Sequence, residues 1–331
     1  MHAFLTVSTV LLSLSPLAMA EKYSFQRELM ATRFTIVCYT DDQAAARNAA
    51  EAAFAAGEKV NAVASDYLPE SELNQLASKP ADAPVVLSPL LFDLLENSRQ
   101  LAEKTDGAFD PTLGPLTKLW RESRRTARLP DSETLQTARN NAGWKHFTLD
   151  RKAGSITLLR KNMAFDLGGI AKGYAADLML ESMIAAGLPQ SMVTAGGDVR
   201  LGNPPPGREG WNVAVQTFDL NKRDEILTLS NCAVSTSGDL HQSVEIDGVK
   251  YSHVLDPKTG LGLTKRIAAT VIADTAKLSD PIATAACVIG ENPTHELKKI
   301  PGVREVKIRT LQETPINKRS ESPSNQTQDE K

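Results

Sequence analysis

Histidine, cysteine and the large aromatics are scarce in this chain of 331 residues, which holds five His, three Cys, three Trp and five Tyr. No two histidines stand at zinc-site spacing, and His2 lies in the apolar leader, so a zinc hydrolase is not expected. Cys38, Cys232 and Cys287 sit in apolar contexts without a CxxC pair. They read as small buried thiols, and neither a disulfide framework nor a cysteine metal centre is expected. An excess of either charge is lacking too: 37 Lys and Arg oppose 40 Asp and Glu, and a net charge of -3 gives no reason to expect nucleic-acid binding. The apolar run from Phe4 to Ala18 is too short and too early for a membrane span. It ends in Ala18-Met19-Ala20, a small-x-small pattern, so residues 1–20 read as a cleaved export signal although no Lys or Arg precedes the run. The residue after Ala20 is Glu21 rather than cysteine, so no lipid anchor is expected and Glu21 begins the mature chain.

What is present reads as alternating strands and helices. Arg33 to Tyr39 alternates as a strand, and Asp42 to Val63 is an alanine-rich helix. Ser88-Pro89 supplies a cap and a proline at the first helical position, predicting a helix to about Thr105 that stops before Gly107. Asp131 to Asn141 is a further short helix. Phe147 to Leu149 and Ser155 to Leu159, joined by a turn ending at Gly154, predict a hairpin. A strand is expected to end at Asp166, followed by a helix to about Ala186 and a Gly187-Leu188-Pro189 stop. Trp211 to Gln216 and Ala268 to Ile272 are later strands. Strands paired by hairpins and interrupted by helices make the fold class α+β. Residues 316–331 are polar and charged and read as a disordered tail, which leaves 21–315 as the folded domain.

The densest motif is Phe165-Asp166-Leu167-Gly168-Gly169-Ile170-Ala171-Lys172-Gly173-Tyr174-Ala175-Ala176-Asp177. A double glycine opening a helix exposes backbone N–H groups at the positive end of the helix dipole, and Lys172 adds a mobile cation, so the junction is suited to a phosphate. A tight turn alone is the plainer alternative. Companion motifs follow one order along the chain. They are Thr105-Asp106-Gly107-Ala108-Phe109-Asp110-Pro111-Thr112, Thr194-Ala195-Gly196-Gly197-Asp198, Ser235-Thr236-Ser237-Gly238-Asp239, Tyr251-Ser252-His253-Val254-Leu255-Asp256-Pro257 and Ser279-Asp280-Pro281-Ile282-Ala283-Thr284. Together, from about Met30 to about Gly290, they resemble the FAD:protein FMN transferases, the ApbE family.

That resemblance implies a T-fold-type lobe beside an α/β portion, and roles for particular residues. Met30, Tyr67, Ala108, Phe109, Asp110, Asp166 and Lys172 match the family's flavin-binding positions. Asp280 and Thr284, with the backbone oxygen of Gly169, match its Mg²⁺ site. Read from spacing alone, Asp280 and Thr284 share a helix face and suit a hard cation, yet spacing favours Ser279-Asp280-Pro281 as a helix cap followed by proline, and it is the resemblance that reverses this. Proline at 281 and serine at 279 depart from the alanines expected there, as does Ala31 from a glycine and Leu240 from a tyrosine. Tyr67 could stack on a planar ring or simply pack, and Asp110 and Asp198 could bind ligand or cap turns. His253, between a strand and an Asp-Pro turn, is the resemblance's general base, with Asp239 or Asp256 to orient it.

The implied reaction is transfer of FMN from FAD to a Ser or Thr of a partner protein, with Mg²⁺ on the pyrophosphate and AMP leaving. The acceptor motif is Ser/Thr-Gly-Ala-Ser/Thr, which this chain lacks, so the partner is a separate protein, expected to be a periplasm-facing subunit of a membrane redox complex. An FAD pyrophosphatase using the same site, and a non-catalytic flavin-binding scaffold, are the rival readings. Joint retention of His253, Asp280 and Thr284 argues against the scaffold.

Overall fold

A computed structural model describes residues 20–215, 217, 223–238, 243–290 and 294–310. The expected leader, apart from its last residue, and the expected tail at 316–331 lie outside the described residues, as does Asp239. The chain opens with strands β1 (Glu21–Leu29) and β2 (Thr32–Thr40), which pair antiparallel through a two-residue turn at Met30 and Ala31. Both turn residues are left-handed, with φ of 52° and 56°. A primed turn matches strand twist and demands this conformation, which an L-residue with a Cβ adopts only under strain. Ala31→Gly relieves about 1–2 kcal/mol of strain and gives back about 0.4–1 kcal/mol of unfolded-chain entropy, so a net gain of about 0.5–1 kcal/mol is expected in denaturant titration.

Helix α1 (Gln43–Ala64) follows, capped by Asp42, whose carboxylate accepts from Ala44 and Ala45 N–H at 2.8 and 3.0 Å. Short α2 (Glu72–Leu76) and β3 (Pro84–Val86) lead to α3 (Pro89–Lys104), which starts from Ser88 and Pro89 as its sequence predicts. Then come α4 (Gly114–Thr126), α5 (Ser132–Asn140) behind Asp131, and the hairpin β4 (Phe147–Asp150) with β5 (Ser155–Leu158). The expected strand ending at Asp166 is absent. Met163, Phe165 and Leu167 are buried in alternation as a strand's would be, but the segment joins no ladder. Its Asp166 N–H donates to the Pro111 carbonyl at 2.9 Å instead. Alternation here reports a chain lying over a core, which the period alone does not distinguish from a sheet.

The remainder is α6 (Ala171–Ala185), β6 (Ser191–Ala195), β7 (Asp198–Leu201), β8 (Trp211–Val215), β9 (Glu225–Leu229), β10 (Cys232–Gly238), β11 (Ser243–Ile246), β12 (Val249–Ser252), β13 (Ile267–Ala273), α7 (Ala276–Ile289), α8 (Thr294–Leu297) and β14 (Val303–Thr310). Seven strands form one sheet in the order β1-β2-β6-β7-β10-β13-β14, antiparallel at every junction. One face carries α1, α6 and α7, and the main core lies between them and the strands. The other face is covered by the β8–β9 hairpin, where Trp211, Val213 and Val215 meet Val37, Leu201 and Val234. A smaller cluster of Leu116, Trp120, Tyr251 and Leu255 ties α4 to β12 and the loop after it. The α+β expectation holds, with an antiparallel sheet backed by helices on one face and short hairpins and helices beside it.

Candidate functional site

Every residue matched to a family role opens onto one cleft of about 590 Å³. Met30 arrives on the β1–β2 turn and Tyr67 on the loop after α1. Ala108, Phe109 and Asp110 follow α3, and Asp166, Gly169 and Lys172 lie at the entry to α6. His253 stands just past β12, while Asp280 and Thr284 project from α7. Residues scattered over the chain converge here because α6 and α7 lie side by side on the sheet and α4 packs against β12 and the loop after it.

The floor is a charged cluster. Lys172 Nζ donates to Asp198 at 2.8 Å and to Asp280 at 3.1 Å, and both carboxylates are almost wholly buried. Lys172 is therefore not the mobile cation its position suggests, but a fixed bridge. Burial opposes the ammonium, yet the two carboxylates outweigh it and raise its pKa far above the usual lysine range. Asp280 is pushed up to about 6 by burial and by neighbouring Asp198, with Lys172 pulling the other way. Its Oδ2 also accepts from Gly173 N–H at 3.3 Å. Thr284 Oγ1 meets Ser237 Oγ at 3.2 Å, and Gly169 lies so near that a Cβ added there would stand 3.4 Å from that hydroxyl.

Two local expectations are corrected by this arrangement. Asp280 is not a helix cap: α7 begins at Ala276, Pro281 is inside it, and the Asp280 carboxylate points at Lys172. Ser279, one of the departures from the family pattern, has a partner of its own, since its hydroxyl meets Ser235 Oγ at 2.7 Å across the α7–β10 contact. The Gly-Gly junction is also less open to phosphate than its composition suggests. Gly168 N–H donates to Asp166 Oδ1 at 2.8 Å, Ile170 and Ala171 N–H to the Leu167 carbonyl, and Gly173 N–H to Asp280. The floor therefore presents carboxylate and hydroxyl oxygens, with the Gly168, Ile170, Ala171 and Gly173 N–H groups already engaged. Among the described residues no group of three or more His, Cys, Asp and Glu forms a metal cluster. A carboxylate, a threonine hydroxyl and a backbone oxygen remain a fitting donor set for a small hard cation, and the Lys172 ammonium already occupies the point where negative charge converges.

One wall is aromatic. Tyr67 is 71% exposed, so packing does not account for it. The Arg121 guanidinium lies 4.0 Å over its ring, and the same arginine pairs with Asp66 at 2.6 Å and approaches Asp166 at 4.0 Å. Burial, together with Asp166 nearby, raises the Asp66 carboxyl, which Arg121 opposes. Arg121 and Asp66 were not among the sequence candidates. The available signal was the row Thr117, Trp120, Arg121 and Arg124, which line the cleft at helical spacing. Phe109 is buried beside Gly169. Asp110 accepts from Thr112 N–H at 2.8 Å, Thr112 Oγ1 at 2.6 Å and Trp144 N–H at 3.1 Å, so its carboxylate chiefly closes its own turn.

His253 is set by the strand end before it. Trp120 Nε1 donates to the Ser252 carbonyl at 3.1 Å, Ser252 N–H donates to the Leu263 carbonyl at 2.8 Å, and Ser252 Oγ accepts from Val254 N–H at 3.0 Å. The imidazole is half-buried at the cleft wall. Asp256 accepts from Lys258 N–H at 2.8 Å and so shapes the Asp-Pro turn.

A sequence model of the ApbE family matches residues 30–305. The chain is 31% identical over 306 residues to the FAD:protein FMN transferase of Treponema pallidum, covering 86% of this chain and 84% of that one. It is 30% identical over 239 residues to the FAD:protein FMN transferase of Vibrio cholerae, covering 71% of each. The crystal structure of the Thermotoga maritima ApbE protein superposes with a TM-score of 0.78 at 28% identity, over 88% of this chain and 97% of that one. The flavin transferase ApbE of Vibrio cholerae superposes equally well, at 0.78 and 26% identity, with the same coverage. With most of its length matched in sequence and in fold, this chain belongs to the ApbE family.

Proposed function

We propose that this protein is a Mg²⁺-dependent FAD:protein FMN transferase that acts, after export, on a Ser or Thr of a partner protein in the periplasm. The observation that carries the reading is the meeting of His253, the Asp280–Thr284–Gly169 oxygens and the exposed Tyr67 ring in one cleft. FAD is the substrate, with its flavin on the Tyr67 and Phe109 side and its pyrophosphate toward the α6–α7 floor. Asp280, Thr284 and the Gly169 backbone oxygen would hold the metal. When bound, it supplies positive charge against the pyrophosphate. His253 accepts the proton of the acceptor hydroxyl as that oxygen bonds to the FMN phosphorus. The bond from that phosphorus to the bridging oxygen breaks, and AMP departs with the electron pair. Tyr67 and Arg121 orient the flavin, and Trp120 keeps the His253 backbone in place.

The acceptor carries a Ser/Thr-Gly-Ala-Ser/Thr run and is a periplasm-facing subunit of a membrane redox complex, a reading supported by the small-x-small pattern that closes the apolar run at residues 1–20. Purified protein incubated with FAD, Mg²⁺ and an acceptor domain bearing Thr-Gly-Ala-Thr is expected to add one FMN to the acceptor, read by mass, with equimolar AMP. FAD consumed at full rate over an acceptor of unchanged mass would make the protein a pyrophosphatase. FAD bound without turnover would make it a flavin-binding scaffold.

A further inference from the structure

We propose that Asp177, which touches neither the cleft nor any group assigned to the reaction, is a positioning residue that indexes the metal-site helix. The inference rests on the metal site proposed above. Helix α7 has no cap of its own: Thr275 at its N-terminus makes no side-chain hydrogen bond, and its first turn holds no acid. Its leading N–H groups are satisfied from another helix. Asp177 Oδ1 accepts from Ala276 N–H at 3.0 Å, and Oδ2 accepts from Lys277 N–H at 2.8 Å. The carboxylate is buried on α6, where Arg200 Nε donates to its Oδ1 at 2.6 Å. Arg200 Nη1 in turn donates to the Leu201 and Cys232 carbonyls at 2.9 and 3.2 Å. One carboxylate thus joins α6, α7 and β7, and through Arg200 it reaches β10.

Gly173, one turn before Asp177 on α6, serves the same contact. A Cβ there would lie 2.2 Å from the Ala276 carbonyl oxygen and 3.1 Å from Asp280 Cβ. Gly173 lets the first turn of α7 come close, and Asp177 fixes where along α6 it stops. The consequence falls on the site, because Gly169 and Lys172 ride at the head of α6 while Asp280 and Thr284 ride on α7. A helical turn advances about 5.4 Å, so a slip of a fraction of a turn between the two helices would part these oxygens. A buried ion pair is weak evidence of stabilisation by itself, since apolar substitutes often serve as well. Two backbone hydrogen bonds aimed at one helix start are a directional device, which apolar packing does not replace.

The test is Asp177→Asn, which keeps the shape but removes the charge and one of the two acceptors. Mn²⁺ binding, read by electron paramagnetic resonance in the absence of FAD, should weaken about 10–100-fold, the range for groups that orient metal ligands from outside. Metal-free FAD affinity should stay within about twofold on the same scale. A second variant adds Thr275→Asp, which gives α7 a local cap from an extended N-cap residue. The melting temperature should then recover while Mn²⁺ affinity does not, since a local cap starts the helix without tying it to α6. If Asp177→Asn folds poorly, the double variant alone carries the measurement. Mn²⁺ affinity at the wild-type level in either variant overturns the proposal and leaves Asp177 as a fold-stabilising cap.

Discussion

Replacing His253 with alanine is expected to slow FMN transfer by about 10²–10⁴-fold while leaving FAD affinity within about twofold, because a general base acts on the proton in flight and not on the resting substrate. The geometry favours so clean a separation. The backbone at this position is held by Trp120, Ser252 and Leu263, none of which depends on the imidazole. Truncation therefore removes the ring without moving the wall. Single-turnover transfer and FAD titration across pH distinguish the alternatives. At saturating metal the acidic limb of the wild-type profile should disappear in the variant, since protonation of the imidazole is what removes the base. An unchanged rate and profile would reassign activation of the hydroxyl to the acceptor's own surroundings.

Asp280→Asn should weaken Mg²⁺ binding by roughly 10²-fold, the size of a lost charged contact in a desolvated site. Transfer should fall in step at low Mg²⁺ and return only in part at high Mg²⁺. The fold should survive, since Lys172 keeps Asp198 as its partner and α7 is capped elsewhere. Wild-type Mg²⁺ affinity carries its own signature. Burial and neighbouring Asp198 push the Asp280 carboxyl up to about 6, against the pull of Lys172. The metal takes the ionised form, so apparent affinity should hold above that pH and drop about tenfold per unit below it. Calorimetric titration of Mg²⁺ between pH 5 and 8 reads this directly. A flat profile, or full metal affinity in Asp280→Asn, would remove Asp280 from the site.

Features fixed by neighbours along the chain were legible in the sequence. Asp42, Ser88-Pro89 and Asp131 start helices where local hydrogen bonds say they must, and the cleft residues other than Asp66 and the α4 row were found through the family resemblance that the ordered motifs carry. Features fixed by distant partners were not. Ser279-Asp280-Pro281 imitates a helix start, whereas the true start at Ala276 is capped by a residue 99 positions earlier. Helix α4 begins at Gly114 with no side-chain cap on Leu113, so only Pro115 in its first turn and the spacing of Thr117, Trp120, Arg121 and Arg124 marked it. Lys172 looked like a free phosphate ligand because the two carboxylates that claim it lie on β7 and α7, far along the chain.

The ammonium of Lys172 also lets the site close without a bound ion. Two buried carboxylates with nothing between them would repel, and one of them would have to take up a proton or a cation for the fold to close. With Lys172 in place, the described core closes around a site that carries only one uncompensated negative charge. The α6–α7 floor is therefore closed by the chain's own charges, and a cation that binds beside Thr284 joins a structure already complete.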